Sequence, residues 1–403
     1  MLISLLFATA FAVDSACDAS ITLPTGFCAA VFADSLQGPR HIVVAPNGTV
    51  YVTVTSGVVA LRDTKGAGRA DVTAHFGDVG GTGIAIHAGH LYVDVRGAIV
   101  RYPLAKDELA PTSKPDTIVQ GLPTGGHGAR NMAFDRAGML YVNVGSRSNS
   151  CQSADRENES PGVDPCRELD TRAGIWRFNS AQTNQTQATG EHVVTGIRNA
   201  MGLALNPMDG KMYATQHGRD QLAQNWSALY TQADGDENPA EEFVRFADHS
   251  DFGWPYCYYD NRYKKLVLAP EYGGDGGHKI DRCASKEAPL VAFPGHWAPM
   301  SLMFYDGNKF PAKYRGGAFI AFHGSWNRAP DPQAGYRVVF IPFAKGNPSG
   351  DYETFANGFS GKDQIFVPTD AAHRPCGLAQ GPDGALYITD DLHGRIWRVV
   401  WKG

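Results

Sequence analysis

Short runs of alternating apolar and polar residues recur along the chain. Each run passes through a turn rich in Gly, Pro, Asn or Asp and returns as a second run, usually apolar-Tyr-apolar. Six copies are visible, the fifth looser than the rest: Ile42–Thr53, Gly83–Val95, Asn131–Val144, Gly202–Thr215, Ser301–Phe322 and Gly377–Asp390. Alternation with period two, joined by such turns, predicts a β-hairpin at each copy.

A further apolar strand is expected after every hairpin. These return strands are Val58–Asp63, Ala98–Leu104, Gly174–Asn179, Glu242–Phe246, Arg337–Phe343 and Arg395–Trp401. A three- or four-stranded antiparallel unit cannot bury both faces alone, so six units are expected to stack radially. The prediction is an all-β fold, a six-bladed β-propeller with long loop insertions, formed by one domain over residues 20–403. A β-sandwich is the alternative, which six similar copies disfavour.

Two stretches and one end of the chain depart from the repeat. Long insertions are predicted at Cys151–Cys166 and from Arg219 to Pro299, and the segment Gly26–Asp34 is expected to complete the last blade. The 46 Gly and 24 Pro suit a fold with many turns, and 43% hydrophobic residues suffice for a large core. With a net charge of −5 and interspersed signs, a nucleic-acid partner is not expected.

The N-terminus and the cysteines both favour export. Residues 1–12 form an apolar run ending in Ala10-Phe11-Ala12, which predicts a signal peptide cleaved between residues 12 and 17. A buried strand is the alternative for this run. No later apolar run is long enough to span a bilayer, so an integral membrane protein is not expected and the location is periplasmic or secreted.

Six of the seven cysteines fall into neighbouring pairs around short loops. One possible pairing is Cys17 with Cys28, Cys151 with Cys166 and Cys257 with Cys283, leaving Cys376 over, although sequence alone does not fix the connectivity. Loop-closing disulfides fit an oxidising compartment. The spacings match neither a zinc pattern nor a haem attachment site.

Cations and imidazoles precede several of the predicted inner strands. Loops of a propeller gather at the two ends of its channel, so these residues are expected at one mouth: Arg40, His41, His127, Arg198, Asn199, His296 and Arg374. Arg binds planar carboxylates through two hydrogen bonds, so this mouth predicts an anionic, planar or polyacidic ligand.

Longer segments resemble a known family. They are Gly126–Ser146, Gly196–Asp220, Glu241–Pro255, Phe322–Arg328 and Arg374–Val399. Over about Leu23 to Trp401 the chain resembles the glucose/sorbosone dehydrogenases, soluble sugar dehydrogenases on a six-bladed propeller that use pyrroloquinoline quinone and calcium. The resemblance rests on the combination of an Arg-Asn pair, a Gly-Leu-Ala hairpin and a Phe-Gly-Trp-Pro segment.

The resemblance implies a role for particular residues. His127 is the general base that takes a proton from the C1 hydroxyl of the sugar, a role suited to an imidazole. Arg198, Asn199 and Arg374 hold the three-carboxylate quinone. The backbone carbonyls of Gly218 and Arg219 hold calcium, a cation that prefers oxygen ligands.

The chain also departs from the family's pattern. Ser146 stands where the family has a carboxylate beside the histidine, and Cys376 stands where it has an arginine. His296 replaces a threonine at the cofactor, and Arg328 is a candidate to supply the missing charge. These departures favour the sorbosone/aldose branch, with an aldose or a sugar aldehyde as substrate and a quinone pool or cytochrome as acceptor.

Two other functions are compatible with the same fold. One is a metal-dependent sugar lactonase, which the excess of Arg and His over Asp and Glu at the mouth disfavours. The other is a non-catalytic propeller that binds a glycan or a protein. Propellers host many functions, so the fold alone does not decide.

Overall fold

Six antiparallel sheets make up most of the chain in this computed structural model, which describes residues 16–106 and 108–403. The predicted signal peptide lies outside these residues. The first three sheets (blades 1 to 3) contain Ile42–Val44, Val50–Val54, Gly57–Arg62 and Val72–Phe76; Ile84–His87, His90–Val95, Ala98–Pro103 and Asp116–Val119; and Met132–Phe134, Met139–Val144, Gly174–Asn179 and Glu191–Thr195. A short strand, Ser250–Asp251, pairs in parallel with the outer edge of blade 3.

The other three sheets (blades 4 to 6) follow the same order from inner to outer strand. They contain Leu203–Leu205, Met212–Gln216, Glu241–Phe246 and Val291–Phe293; Pro299–Phe304, Ala318–Phe322, Arg337–Ile341 and Glu353–Ala356; and Pro375–Gln380, Leu386–Asp390, Arg395–Trp401 and Phe27–Ala33. The six-bladed propeller predicted from the hairpin repeat is therefore confirmed.

Turn chemistry sets the register of the inner hairpins. In blade 1 the turn Pro46-Asn47-Gly48 brings Val44 opposite Val50, and Gly48 adopts a φ of +82°, which residues with a Cβ rarely accept. The Asn47 side chain accepts a hydrogen bond from the Thr49 amide at 3.1 Å. Local turn residues thus fix which face of each strand points toward its neighbour.

Apolar side chains of neighbouring blades pack together all the way around the ring. Six separate clusters lie between successive sheets, and each draws its residues from two blades. Tyr92 and Trp176, for example, both lie in the cluster between blades 2 and 3. The period-two alternation buries both faces of a blade against its neighbours, which is the reason that a single blade cannot fold alone.

The N-terminal segment closes the ring. Phe27–Ala33 pairs antiparallel with Arg395–Trp401, as predicted. A disulfide joins Cys17 to Cys28, and Arg395 forms ion pairs with Asp18 at 3.3 Å and Asp34 at 2.9 Å. The other two predicted disulfides, Cys151–Cys166 and Cys257–Cys283, are also present, and Cys376 is unpaired and buried.

The remaining elements lie mostly in the insertions. They are the helices Leu222–Asn225 and Gln232–Glu237, the hairpins Cys257–Asp260 with Lys265–Leu268 and Phe343–Ala344 with Asn347–Pro348, and the 3-10 turns Arg167–Asp170, Pro270–Tyr272, Asp281–Ser285, Ala312–Tyr314 and Pro368–Asp370. Across the described residues, no helix is both long and apolar enough to cross a membrane.

Candidate active site

The inner strands of the six blades surround one axis. Each inner strand neighbours the inner strand of the next blade, and the last neighbours the first. All six run in the same direction relative to the axis, so the loops that precede them share one mouth. That mouth carries the candidate residues.

His127 is held by the serine that follows the second strand of blade 3. Its ring Nδ1 lies 3.0 Å from the Ser146 carbonyl oxygen and 2.9 Å from Ser146 Oγ. A carbonyl oxygen can only accept, so Nδ1 carries the proton and Nε2 carries the lone pair. Burial, and next the nearby charge of Arg198, lower the pKa of His127 to about 3. The imidazole is therefore neutral near pH 7, with Nε2 able to accept a proton.

Arg198 is buried and organises four oxygens around its guanidinium. Nε donates to the Asn149 carbonyl and Nη2 to Asn149 Oδ1, both at 3.1 Å. Nη1 donates to the Gly218 carbonyl at 3.0 Å, and Nη2 also donates to Asp220 Oδ2 at 2.8 Å. Most of its donors are thus used within the protein. Arg198 contributes positive charge to the mouth and fixes the two loops that supply Asn149 and Asp220.

Asn199 lies directly beside His127. A Cβ added to Gly145 would meet the His127 carbonyl oxygen at 2.4 Å and Asn199 Oδ1 at 3.1 Å, so the backbone at Gly145 lets the two residues approach. Asn199 Oδ1 is buried and has no hydrogen-bond partner among the described residues. A buried amide oxygen without a partner costs free energy, so this position suits a donor or a cation supplied by a ligand.

The turn at Gly218 and Arg219 faces the same site. The Gly218 carbonyl accepts from Arg198, while its amide donates to Glu241 Oε2 at 3.1 Å. Arg219 turns away, and its side chain forms a buried ion pair with Glu271 at 2.5 Å. Within the described part of the chain, no group of three or more His, Cys, Asp or Glu side chains is placed to hold a metal. A metal here would therefore depend on carbonyl and amide oxygens.

Arg374 lies on the opposite part of the mouth, in a second cluster of charges. Its guanidinium donates to the carbonyls of His323 at 3.1 Å and Gly324 at 2.6 Å. Nearby, His323 Nε2 contacts Asp391 at 2.7 Å, and Arg40 lies 3.8 Å from the same carboxylate. Burial would raise the pKa of Asp391, but His323 and the two arginines outweigh it and lower the pKa to about 2.

His217 connects the two clusters. Its Nε2 lies 3.0 Å from the Pro299 carbonyl, and its amide donates to the Asn199 carbonyl at 3.0 Å. Burial chiefly lowers its pKa to about 4, and the charges of Arg198, Asp220 and His323 all act on it. His217 therefore contacts Asn199 in the first cluster and lies near enough to His323 in the second for that charge to act on its pKa.

Two predicted cofactor residues are committed to other contacts. The His296 ring donates from Nε2 to the Gly235 carbonyl at 2.8 Å and contacts the Asn327 amide, so both ring nitrogens are used. Arg328 bonds to the Asp236 carbonyl at 2.6 Å and to Glu237 at 3.0 Å. Both side chains bond to the second helix, His296 from the loop before blade 5 and Arg328 from the loop between the second and third strands of that blade. Their assignment as cofactor-binding residues stays a prediction.

Several residues of the site were not predicted. Asp220 bonds to Arg198 and to Arg156 at 2.9 Å, and burial, which would raise its pKa, is outweighed by these cations, so the pKa is lowered. Asn149 and Glu168 come from the Cys151–Cys166 region. Asp220 sits at the end of a recognised segment, which is a usable signal. Glu168 has none, because its contact depends on how the insertion folds back.

The fold and the site together define a propeller whose mouth combines a neutral histidine with buried and half-buried arginines. The family model described as TrAA12-like matches residues 21–402. The chain belongs to this TrAA12-like family.

Individual relatives agree with that membership. A pyrroloquinoline quinone-dependent pyranose dehydrogenase of Coprinopsis cinerea is 25% identical over 444 residues, covering 94% of this chain and 54% of the relative. The chain therefore spans about half the length of that curated relative. The aldose sugar dehydrogenase YliI of Escherichia coli is 23% identical over 323 residues, covering 75% of this chain and 68% of the relative.

A solved structure shares the fold. The holo form of the pyranose dehydrogenase PQQ domain from Coprinopsis cinerea superimposes with a TM-score of 0.77 at 20% identity, covering 96% of this chain and all, 100%, of that domain. At this identity the likeness supports the fold alone.

Proposed function

We propose that the protein is a quinoprotein oxidoreductase that oxidises an aldose or a sugar aldehyde with pyrroloquinoline quinone. The observation that carries the proposal is a neutral His127, with its Nε2 lone pair available, near Arg198 and across the channel mouth from Arg374 and Arg40. The family and the two dehydrogenase relatives support the same function. The choice between a glucose-type and a sorbosone-type substrate stays a prediction.

The residues at the mouth fit a planar molecule with three carboxylates. Arg374 uses Nε and Nη2 for backbone carbonyls, and within the described structure its Nη1 has no protein acceptor. Arg40 is about one-third exposed and contacts Asp391 only at 3.8 Å, so it also has donors to offer. Asn199 adds an unpartnered amide oxygen. The donors and charge of the two arginines suit carboxylates in a partly buried site, whereas the Asn199 oxygen suits a donor or a cation of the ligand.

The oxygens near Gly218 fit calcium in part. The Gly218 carbonyl, Asn149 Oδ1 and Asp220 Oδ2 all lie around the Arg198 guanidinium. Calcium takes six to eight oxygen ligands, and a carbonyl oxygen has a second lone pair that Arg198 does not use. We propose that calcium binds with the quinone at this turn, using the Gly218 and Arg219 carbonyls.

The chain's own residues supply acid–base chemistry and positioning. A bound quinone would supply the hydride acceptor, and a calcium ion held with it would supply Lewis-acid polarisation of that acceptor. His127 Nε2 accepts the proton of the C1 hydroxyl, which favours departure of hydride from C1. Ser146 keeps the other ring nitrogen protonated, so the base is correctly oriented before substrate arrives. Arg198 and His217 hold the loops that carry Asn199 and Asp220.

We further propose that the protein works outside the cytoplasm, in the periplasm or as a secreted enzyme. The support is three disulfides, which form and persist in oxidising compartments. A soluble dye can therefore stand in for the unidentified electron acceptor, a quinone pool or a cytochrome.

Reconstitution tests the proposed function. Purified apoprotein is loaded with pyrroloquinoline quinone and calcium, and dye reduction is followed with a panel of aldoses and sugar aldehydes. We expect turnover with at least one sugar, and its loss in His127→Ala. The matched control is His90→Ala, a histidine at the start of a blade 2 strand, which should keep full activity. Turnover that survives His127→Ala would remove the proposed base, and no turnover with any sugar would favour the lactonase or binding-module functions.

A further inference from the structure

The partner of the catalytic histidine is unusual in this chain. A carboxylate is expected beside His127, but the position is occupied by Ser146, which is fully buried. A neutral hydroxyl cannot fix the ring by charge. What holds His127 must therefore be found in the contacts that Ser146 makes.

Ser146 links the His127 ring to the backbone of Ser148 through its hydroxyl. Its hydroxyl donates to the Ser148 carbonyl at 2.7 Å, so the oxygen lone pairs are left to accept from His127 Nδ1 at 2.9 Å. The His127 amide also donates to the Ser146 carbonyl at 2.9 Å. The direction of every hydrogen bond is thereby set, and the set permits only the tautomer with the proton on Nδ1.

Glu168 holds the turn that carries these serines. Its Oε2 accepts from the Arg147 amide at 2.6 Å and from the Ser148 amide at 3.2 Å, and its Oε1 accepts a short hydrogen bond from the Ser148 hydroxyl. Three donors from two consecutive residues therefore end on one carboxylate. Hydrogen bonds to a charged acceptor are stronger than neutral ones, so this contact rigidifies the turn.

The insertion that carries Glu168 is fastened on both sides. The Cys151–Cys166 disulfide ends two residues before Glu168, and the Cys151 amide donates to Ser148 Oγ at 2.9 Å. Four residues beyond Glu168, Arg172 donates to the Thr124 carbonyl at 2.6 Å and the Gly125 carbonyl at 3.1 Å, immediately before His127. The short segment from Glu168 to Arg172 therefore contacts both the turn at Arg147 and Ser148 and the loop that leads to His127.

We propose that Glu168, acting through Ser148 and Ser146, takes over the positioning role of the missing carboxylate. Ser146 orients His127 with its proton on Nδ1, and Glu168 keeps Ser146 in place. Both are positioning residues, since only His127 meets the sugar. This inference rests on the proposed function for its catalytic meaning, but the tautomer it assigns belongs to the apoprotein.

The closing experiment therefore begins without cofactor. The ¹⁵N shifts of the His127 ring are measured in apoprotein for the wild type, Glu168→Ala, Glu168→Gln and Asp170→Ala. Asp170 lies on the same 3-10 turn but is 67% exposed, which makes it a matched control. We expect one Nδ1-protonated tautomer in the wild type and Asp170→Ala, a mixture of tautomers in Glu168→Ala, and partial rescue in Glu168→Gln, which keeps one carbonyl acceptor.

Kinetics of the loaded enzyme give the second readout. In Glu168→Ala we expect kcat to fall about 10- to 100-fold, the range typical for lost partners of a functional histidine, with KM changed less than about threefold. The acid limb of the pH profile should also shift to lower pH, because the hydrogen bond to the Ser146 backbone raises the pKa of His127 and is weakened when Glu168 is removed.

Two outcomes separate the inference from the proposed function. A single Nδ1-protonated tautomer and wild-type kcat in Glu168→Ala would overturn the positioning role. If the tautomer shifts as expected but the loaded wild type oxidises no sugar, the positioning network stands and the proposed dehydrogenase function fails. If Glu168→Ala does not fold, Glu168→Gln decides by the same shifts.

Discussion

Arg198 can be tested by removing its charge while another arginine stays on the same carboxylate. Asp220 Oδ2 lies 2.8 Å from Arg198 and 2.9 Å from Arg156, but the two side chains differ in exposure, at 4% and 34%. Removing one member of a buried ion pair typically costs about 3–5 kcal/mol, because the other charge is left without compensation. Since Arg156 remains beside Asp220, we expect Arg198→Met to lower the free energy of unfolding by about 3 kcal/mol, near the lower end of this range.

The matched variant is Arg156→Met, which removes the more exposed partner. Exposed ion pairs contribute about 0–1 kcal/mol, so this variant should lose about 1 kcal/mol or less. Urea unfolding of the apoprotein, followed by tryptophan fluorescence, measures both. Arg198→Met should also weaken quinone binding, measured by calorimetric titration, by a larger factor than it raises the KM for sugar, measured by dye reduction. Equal destabilisation by the two variants, or an Arg198→Met loss below about 1 kcal/mol, would refute the assignment of Arg198 as the organiser of the site.

Three further predictions concern pH, packing and ring closure. Burial chiefly raises the pKa of Glu242 to about 8. As pH rises, the unfolded chain releases this proton near 4.5 while the folded protein keeps it, so the contribution of Glu242 to stability falls between about pH 4.5 and 8. The melting temperature of Glu242→Gln should therefore fall less over that range than that of the wild type. The amide is a fair substitute because Glu242 Oε2 has no hydrogen-bond partner among the described residues. If the melting temperature of Glu242→Gln depended on pH as steeply as that of the wild type, this prediction would be contradicted. Gly145→Ala would place a Cβ 2.4 Å from the His127 carbonyl oxygen and 2.6 Å from His127 Cβ, so turnover should fall at least about tenfold, and full activity would show that His127 is not held as described. Replacing Cys17 and Cys28 by Ser should lower the free energy of unfolding by about 2–3 kcal/mol, since the disulfide closes a short loop at the strand that completes blade 6, and an unaltered urea midpoint would contradict this.

Much of the fold could be predicted because its signals are local. The hairpins, the return strands and the closing strand Phe27–Ala33 all follow from alternation and turn residues within about twenty positions. The outermost strands were less visible. Val72–Phe76, for example, is only five residues long and largely exposed, because it forms the outer edge of blade 1.

The site was predictable where it depends on position in the repeat. His127, Arg198, Asn199 and Arg374 lie before inner strands, and the propeller brings such loops together whatever their sequences. Contacts made by insertions have no such rule. Glu168 reaches Ser148 only because the Cys151–Cys166 loop folds back.

The same reason explains the contacts of His296 and Arg328. His296 precedes the inner strand of blade 5 and Arg328 follows the second strand of that blade, so the repeat suggested that both face the channel. The helix Gln232–Glu237 lies within the long insertion, and its backbone carbonyls take up both side chains. A long-range contact of this kind leaves no trace in the local pattern.

We propose above that the mouth binds pyrroloquinoline quinone through arginine donors that its contacts within the protein leave unused, Arg374 Nη1 among them. Calorimetric titration of the apoprotein with the quinone, in the presence of calcium, tests it most directly. We predict saturable binding of one quinone per chain, weakened at least about tenfold in Arg374→Ala and unchanged in Lys313→Ala, whose side chain is 57% exposed on the turn between the first two strands of blade 5. The absence of saturable binding to the wild type, or equal binding by Arg374→Ala, would contradict the claim.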